Sequence, residues 1–293
     1  MSRFEASESR TIWSKIRNPK GKVGKLLYAT APVWGRPLSV FRPGNVAMFH
    51  MGRCGSSVLG DLLSQHPKIY WGGEIYTSRI RGWRSQKRLN NSGGKLALEP
   101  DPLKLLQRKM LVAGANYYGC EVKFHHLSEG NIDIADYIDY LNRRNFLYIT
   151  LVRKNFLRSI VSNTIMFSSL KAKTHNRSDE KAKLTEVKLD VKRTRYNGYE
   201  KTLFEHLEIH QRNFRDFEKR LPAQNVLKLT YEDDISHDPR NAYQKVCKFL
   251  GVQYKDLPIR LSKTNPFPLS KILVNYEEVK DYLINTDFAW MCE

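Results

Sequence analysis

An α/β fold, with a central and mostly parallel sheet flanked by helices, is what this 293-residue sequence predicts. Three features predict it. Short apolar runs of strand length recur along the chain, segments with helical spacing separate them, and the first run leads into a helix through a glycine-containing turn. The alternation begins near residue 41, so the chain divides into a basic N-terminal arm, residues 1–40, and one domain, residues 41–293.

Taken in order, the arm is broken by Pro19, Gly21, Gly24, Pro32 and Pro37, and Trp13, Ile16, Leu26, Leu27 and Trp34 are interleaved with its lysines and arginines. Two readings stay open for it, a membrane-surface element and an arm packed on the domain or partly disordered. Residues 46–50 read as a buried strand and residues 57–63 as the helix that follows. A second strand runs into Trp71, Gly72, Gly73 and Glu74. Residues 118–124 and 146–152 are strands apolar enough to be covered on both faces. Ile134, Ile138 and Leu141 have helical spacing within 132–142, and residues 155–170 follow the 146–152 strand as a helix. A long helix over about 195–221 is expected from Leu203, Leu207, Phe214, Phe217 and Leu221, with Pro222 ending it. Residues 226–230 are a strand, and residues 239–250 a helix closed by Gly251. The stretches 79–95 and 171–192 are polar or charged and read as mobile loops of the kind that cover a crevice at strand ends.

Composition narrows the partner. Lysine and arginine number 49 against 30 acids, a net charge of +19, which calls for an anionic ligand without saying which. Hydrophobic residues make up 41% of the chain, enough for a core rather than a disordered segment. Cys54, Cys120, Cys247 and Cys292 are scattered, with no CxxC pair or Cys/His cluster. Neither a zinc site nor a disulfide framework is indicated, and a reducing compartment fits. No run approaches the ~18 apolar residues of a membrane span, and the first ten residues carry no apolar signal stretch. A cytoplasmic enzyme, in contact with a membrane surface if the arm serves that purpose, is the expectation.

The most informative segment is the turn His50-Met-Gly-Arg-Cys-Gly-Ser-Ser. Between a buried strand and a helix, successive backbone N–H groups face one concavity and the helix N-terminus favours negative charge. Gly52 and Gly55 permit close approach, Ser56 and Ser57 add hydroxyls, and Arg53 adds a cation. Such a P-loop-like turn suits a phosphate. It departs from the nucleoside-triphosphatase loop, because Ser56 stands where that motif requires lysine. A second candidate lies at Arg153, Lys154 and Ser162, a cation at a strand end with a hydroxyl about two helical turns on. Either cation could clamp a phosphate with Ser162. Arg153 is the better choice because its fork of donors matches phosphate geometry. Arg158, one turn before Ser162, reads equally well as surface charge.

Taken together, GRCGSS at 52–57, LLSQHP at 62–67, Gly73-Glu74, LVRKNFLRSIVS at 151–162, LTYEDD at 229–234, KFLGV at 248–252 and LSKTNP at 261–266 resemble the sulfotransferase superfamily. The closest likeness is to its carbohydrate and bacterial Nod-factor-type branches, and it spans about residues 44–285. The longer C-terminal signature of the cytosolic branch is absent. Cys54 stands where the family often has serine or threonine.

The resemblance implies a donor, 3′-phosphoadenosine-5′-phosphosulfate (PAPS), and no metal. Arg53, Cys54, Gly55, Ser56 and Ser57 would hold its 5′-phosphosulfate, and Arg153 with Ser162 its 3′-phosphate. Tyr231 would lie near the adenine, and Lys263 would help close the nucleotide site. It also implies a base for the acceptor hydroxyl, the strand-end Glu74 of the carbohydrate and bacterial enzymes. The rival is His125, which with Lys123 matches the Lys-x-His strand end of cytosolic members. An unperturbed histidine titrates near ~6.5, well placed for the task. Lys123 would then stabilise the leaving group. The implied acceptor is a small molecule or glycan with a free hydroxyl, and nucleic acid is not an expected partner. The alternative is a kinase-like phosphotransferase using the 52–57 loop, against which the missing lysine counts. A basic nucleic-acid module would explain the charge but not the ordered strand-end motifs.

Overall fold

The computed structural model describes residues 30, 33, 35–77, 102–168, 176–177 and 182–293. The 79–95 loop and most of the 1–40 arm lie outside these residues.

The elements follow in order. Strand β1 (Asn45–His50) leads into helix α1 (Ser56–Gln65), followed by β2 (Ile69–Glu74), α2 (Pro102–Val112), β3 (Tyr117–Lys123), α3 (Phe124–Glu129) and α4 (Ile134–Asn142). Then come β4 (Phe146–Val152), α5 (Phe156–Ser168), the short β5 (Asn176–Arg177), β6 (Thr194–Tyr196), β7 (Tyr199–Lys201) and α6 (Leu203–Glu218). The chain finishes with β8 (Val226–Thr230), α7 (Arg240–Phe249), β9 (Leu261–Ser262), α8 (Leu269–Ile272) and α9 (Tyr276–Leu283). A mostly parallel five-stranded sheet, in the order β2-β3-β1-β4-β8, is flanked by helices, the α/β architecture the alternation predicts. Strands β2 and β3 run parallel, with Ile69 opposite Tyr117 and an irregularity between Trp71 and Glu74.

The chain forms two compact units, residues 1–49 with 63–149 and residues 50–62 with 150–293. The first is built on aromatic packing. Phe49 lies 6.3 Å from Tyr137 and 6.2 Å from Tyr148, and Tyr118 meets Phe146 edge to face at 6.5 Å. Gly119 leaves room for Trp71, whose ring occupies the space a Cβ would need. In the second unit Phe156, Leu157, Ile160 and Val161 of α5 pack with Leu203 and Leu207 of α6 and with Val279 and Leu283 of α9.

Two expectations are corrected. The long helix begins at Leu203, because Thr202 and Glu205 form a reciprocal capping box there. Residues 194–201 fold instead as a hairpin pairing Tyr196 with Tyr199. Its two-residue loop, Asn197 and Gly198, takes φ of 50° and 89°, the primed turn that Asn-Gly favours. The charged 182–192 stretch is also anchored. Val187, Leu189 and Val191 alternate into the core, and the Val187 N–H donates to the Ile272 carbonyl at 2.8 Å.

His210 of α6 is buried and stacked on Phe156, with ring centroids 3.4 Å apart and planes within 5°. Burial pushes its pKa from 6.5 down to about 3. The unfolded chain therefore takes up a proton below pH 6.5 that the folded chain refuses until about pH 3, and stability falls as pH falls through that window. From about pH 7 to about pH 5 the protein should lose about 2 kcal/mol more stability than His210→Phe. Urea denaturation of both proteins at each pH measures the difference in slope.

Candidate functional site

The turn after β1 departs from ordinary backbone at three positions. Gly52, Arg53 and Gly55 have φ of 92°, 56° and 84°. For Arg53 the left-handed region is strained by roughly 1 kcal/mol, so its surroundings must hold it there. They do. The Arg153 Nη1 donates to the Arg53 carbonyl at 3.1 Å, and the Arg53 Nε donates to Ser162 Oγ at 2.9 Å. A Cβ on Gly55 would stand 2.6 Å from Ile235 Cγ2 and 3.2 Å from Tyr231 Cδ2, closer than packing allows. The Tyr196 hydroxyl donates to the Met51 carbonyl at 3.0 Å, fixing the start of the turn.

These residues open onto a cavity of about 790 Å³ lined by Arg53, Gly55, Ser56, Ser57, Arg153, Ser162, Tyr231 and Lys263, among others. Thus the two candidate phosphate-binding elements read from sequence meet through hydrogen bonds from Arg53 to Ser162, 109 positions apart along the chain, and from Arg153 to the Arg53 carbonyl. Cys54 does not line the cavity; its side chain is buried in the core. The two candidate cations are placed differently. Lys154 turns away to Asp233 at 2.6 Å, while Arg153 faces the cavity.

Arg153 sets the electrostatics. Its guanidinium lies over the Tyr231 ring, 4.4 Å from the centroid. Its Nε is buried and has no hydrogen-bond partner among the described residues. Desolvation, the leading cause, lowers its pKa below the usual arginine value, partly opposed by Tyr231 and Glu232. A buried cation with a spare donor is stabilised by an anion brought to it. Lys263 Nζ lies 6.0 Å from the same tyrosine ring, so Arg53, Arg153, Arg158 and Lys263 stand against the carboxylates Glu232 and Glu293 in the lining.

Residues missed by sequence reasoning also line it. Arg158, left open as surface charge, does so with its Nη1 donating to the Phe267 carbonyl at 3.1 Å. Asn155 caps α5, accepting from the Arg158 N–H at 3.1 Å, while its Nδ2 donates to the Met291 carbonyl at 2.8 Å. Asn265 and Trp290 complete this part of the wall. The asparagine directly before a helical run at 155 is a legible capping signal; Trp290 has no such signal.

Within the other unit, Glu74 ends β2 and Lys123 ends the neighbouring β3. Lys123 Nζ lies 2.6 Å from Glu74 Oε1, and the Thr77 hydroxyl donates to Glu74 Oε2 at 2.6 Å. Gly73, at φ 63° with open space around it, turns the strand end. Trp71 Nε1 donates at 2.9 Å to Oε1 of Glu121, the residue opposite Glu74 in the sheet register. His125 falls in the first turn of α3, half-buried, with its ring 4.6 Å from that of His126. Sequence reasoning set Glu74 and Lys123 apart in role; they form one ion pair.

No family model matches the chain, and no curated protein matches it. Among solved structures it is similar to a sulfotransferase from Alicyclobacillus acidocaldarius, with TM-score 0.44 and 15% identity over 85% of this chain and 92% of that one. It is also similar to the sulfotransferase domain from the curacin biosynthetic pathway, with TM-score 0.38 and 13% identity over 73% of this chain and 75% of that one. At such values neither likeness bears on the chemistry of the site, which rests on its own residues.

Proposed function

We propose that this chain is a sulfotransferase that uses PAPS to sulfate a hydroxyl of an acceptor, a carbohydrate or glycolipid. The observation that carries the reading is the buried Arg153, with its spare Nε, sharing one cavity with Ser162 and with the glycine-containing turn at 52–57. Close backbone approach at Gly55 and a buried fork of donors are what a nucleotide with two separate phosphate groups requires.

In this reading the main-chain N–H groups of the turn, with Ser56 and Ser57, hold the 5′-phosphosulfate. Arg153 and Ser162 hold the 3′-phosphate, Tyr231 flanks the base, and Lys263 closes the nucleotide site. When bound, the donor supplies a sulfuryl group whose S–O bond to the 5′-phosphate breaks as a new S–O bond forms to the acceptor oxygen. Glu74 takes the acceptor proton, its carboxylate aimed by Lys123 and Thr77; His125 is the rival base. The carbohydrate acceptor rests on the match of Glu74 to the carbohydrate and bacterial branches.

Calorimetry with adenosine 3′,5′-bisphosphate should give binding at least about tenfold tighter than with ATP, with no requirement for magnesium. Tighter binding of magnesium-ATP would favour the kinase-like alternative. Arg153→Lys should weaken binding of the bisphosphate by about tenfold or more, since a point charge replaces the fork. Gly55→Ala should abolish it, because the added Cβ meets Ile235 at a φ of 84°. In steady-state assays with labelled donor, Glu74→Gln should lower kcat by ~10²-fold or more while leaving affinity for the bisphosphate unchanged. Unaltered turnover in that variant, with a collapse in a His125 variant instead, would move the base to His125.

A further inference from the structure

Away from the cavity, the chain just before β1 displays a set of apolar side chains to solvent. Val33, Leu38, Val40 and Phe41 are 79%, 43%, 81% and 75% exposed. The segment is nevertheless held in place. Gly35 packs so closely on the end of α2 that a Cβ there would collide with the Leu111 carbonyl. Arg42 donates from Nε to the Gly114 carbonyl at 3.2 Å and from Nη2 to the Met110 carbonyl. A well-anchored segment that turns two adjacent large apolar residues outward presents them to something.

The charge around it says what. Residues 33–44 contain Arg36 and Arg42 and no acid. Helix α2, on which the segment packs, carries Lys104, Arg108 and Lys109 and likewise no acid. Lys104, Arg108 and Arg36 are exposed. Apolar side chains of bilayer-inserting type within a field of cations match a surface whose interior is apolar and whose face is anionic. A second copy of this chain is a poorer match, since a two-fold contact through this face would set the same cations against each other.

We propose that residues 33–41 form a membrane-docking surface for anionic lipid, in which Val40 and Phe41 enter the headgroup boundary while Arg36, Lys104, Arg108 and Lys109 meet the lipid phosphates and carboxylates. This inference is independent of the donor reading.

Co-sedimentation of the full chain with vesicles tests it. Binding should be at least about tenfold stronger to phosphatidylcholine containing about 30 mol% phosphatidylserine than to phosphatidylcholine alone, and should weaken as salt is raised. The double variant Val40→Ser/Phe41→Ser and the triple variant Lys104→Gln/Arg108→Gln/Lys109→Gln should each lose about tenfold or more. The charge variant and the salt series read the same property if the apolar variant fails to fold. Equal binding to both vesicle types overturns the proposal, as does retention of full binding in a folded apolar variant. A dimer in sedimentation equilibrium that Val40→Ser/Phe41→Ser dissociates, with no vesicle binding, would assign the face to a second copy instead.

Discussion

The second unit is organised around a positive charge removed from water. Arg153 leaves β4 with its guanidinium buried, and the arrangement around it reads as compensation for that desolvation. The Tyr231 ring faces it at 4.4 Å, the Arg53 carbonyl accepts from it at 3.1 Å, and Glu232 lies close enough to favour its charge. Glu232 in turn accepts from the backbone N–H groups of Lys154 and Asn155 at 2.9 and 3.1 Å, which ties the entrance of α5 to the π-turn at Tyr231–Ile235. The strained turn at Gly52–Gly55 is held by the same arginine, so its conformation is set before any ligand arrives. Preorganisation of this kind is what the proposed binding of an anion by the turn's backbone amides would require, because no reorganisation is then needed at the moment of binding.

The first unit solves a different problem, that of placing an ionised pair at the end of a sheet. Parallel pairing sets Glu74, the last residue of β2, opposite Glu121, two residues before Lys123 ends β3, and the register is irregular between Trp71 and Glu74. The carboxylate of Glu74 is then fixed from two sides, by Lys123 and by Thr77. In the same two strands Gly119 admits the Trp71 ring, and Trp71 donates to Glu121. A carboxylate held in this way keeps one orientation, which is what the proposed role of Glu74 as a base calls for.

Helical periodicity alone misread residues 194–202. Leu203, Leu207 and Phe214 do lie on one buried face, but Asn197-Gly198 and the Thr202/Glu205 pair are short-range signals that override periodicity at a boundary. Residues 182–192 show the reverse error. Their charge suggests a solvated loop, yet Val187, Leu189 and Val191 alternate, the two-residue period of an extended segment with one face inward. Arg158 was ambiguous because one turn of helix separates a surface position from a cavity wall, and only the position of the Phe267 carbonyl decides between them.

The five strands of the main sheet, their order along the chain and the two strand-to-helix turns with their glycines, cations and hydroxyls were legible in the sequence, because apolar patterning and turn chemistry are written in neighbours a few residues apart. Tertiary structure alone decided that Arg53 reaches Ser162, that Arg153 rather than Lys154 faces the cavity, and that Glu74 pairs with Lys123. Each of these depends on residues between 49 and 109 positions apart brought together by the fold, a distance across which no local pattern carries information.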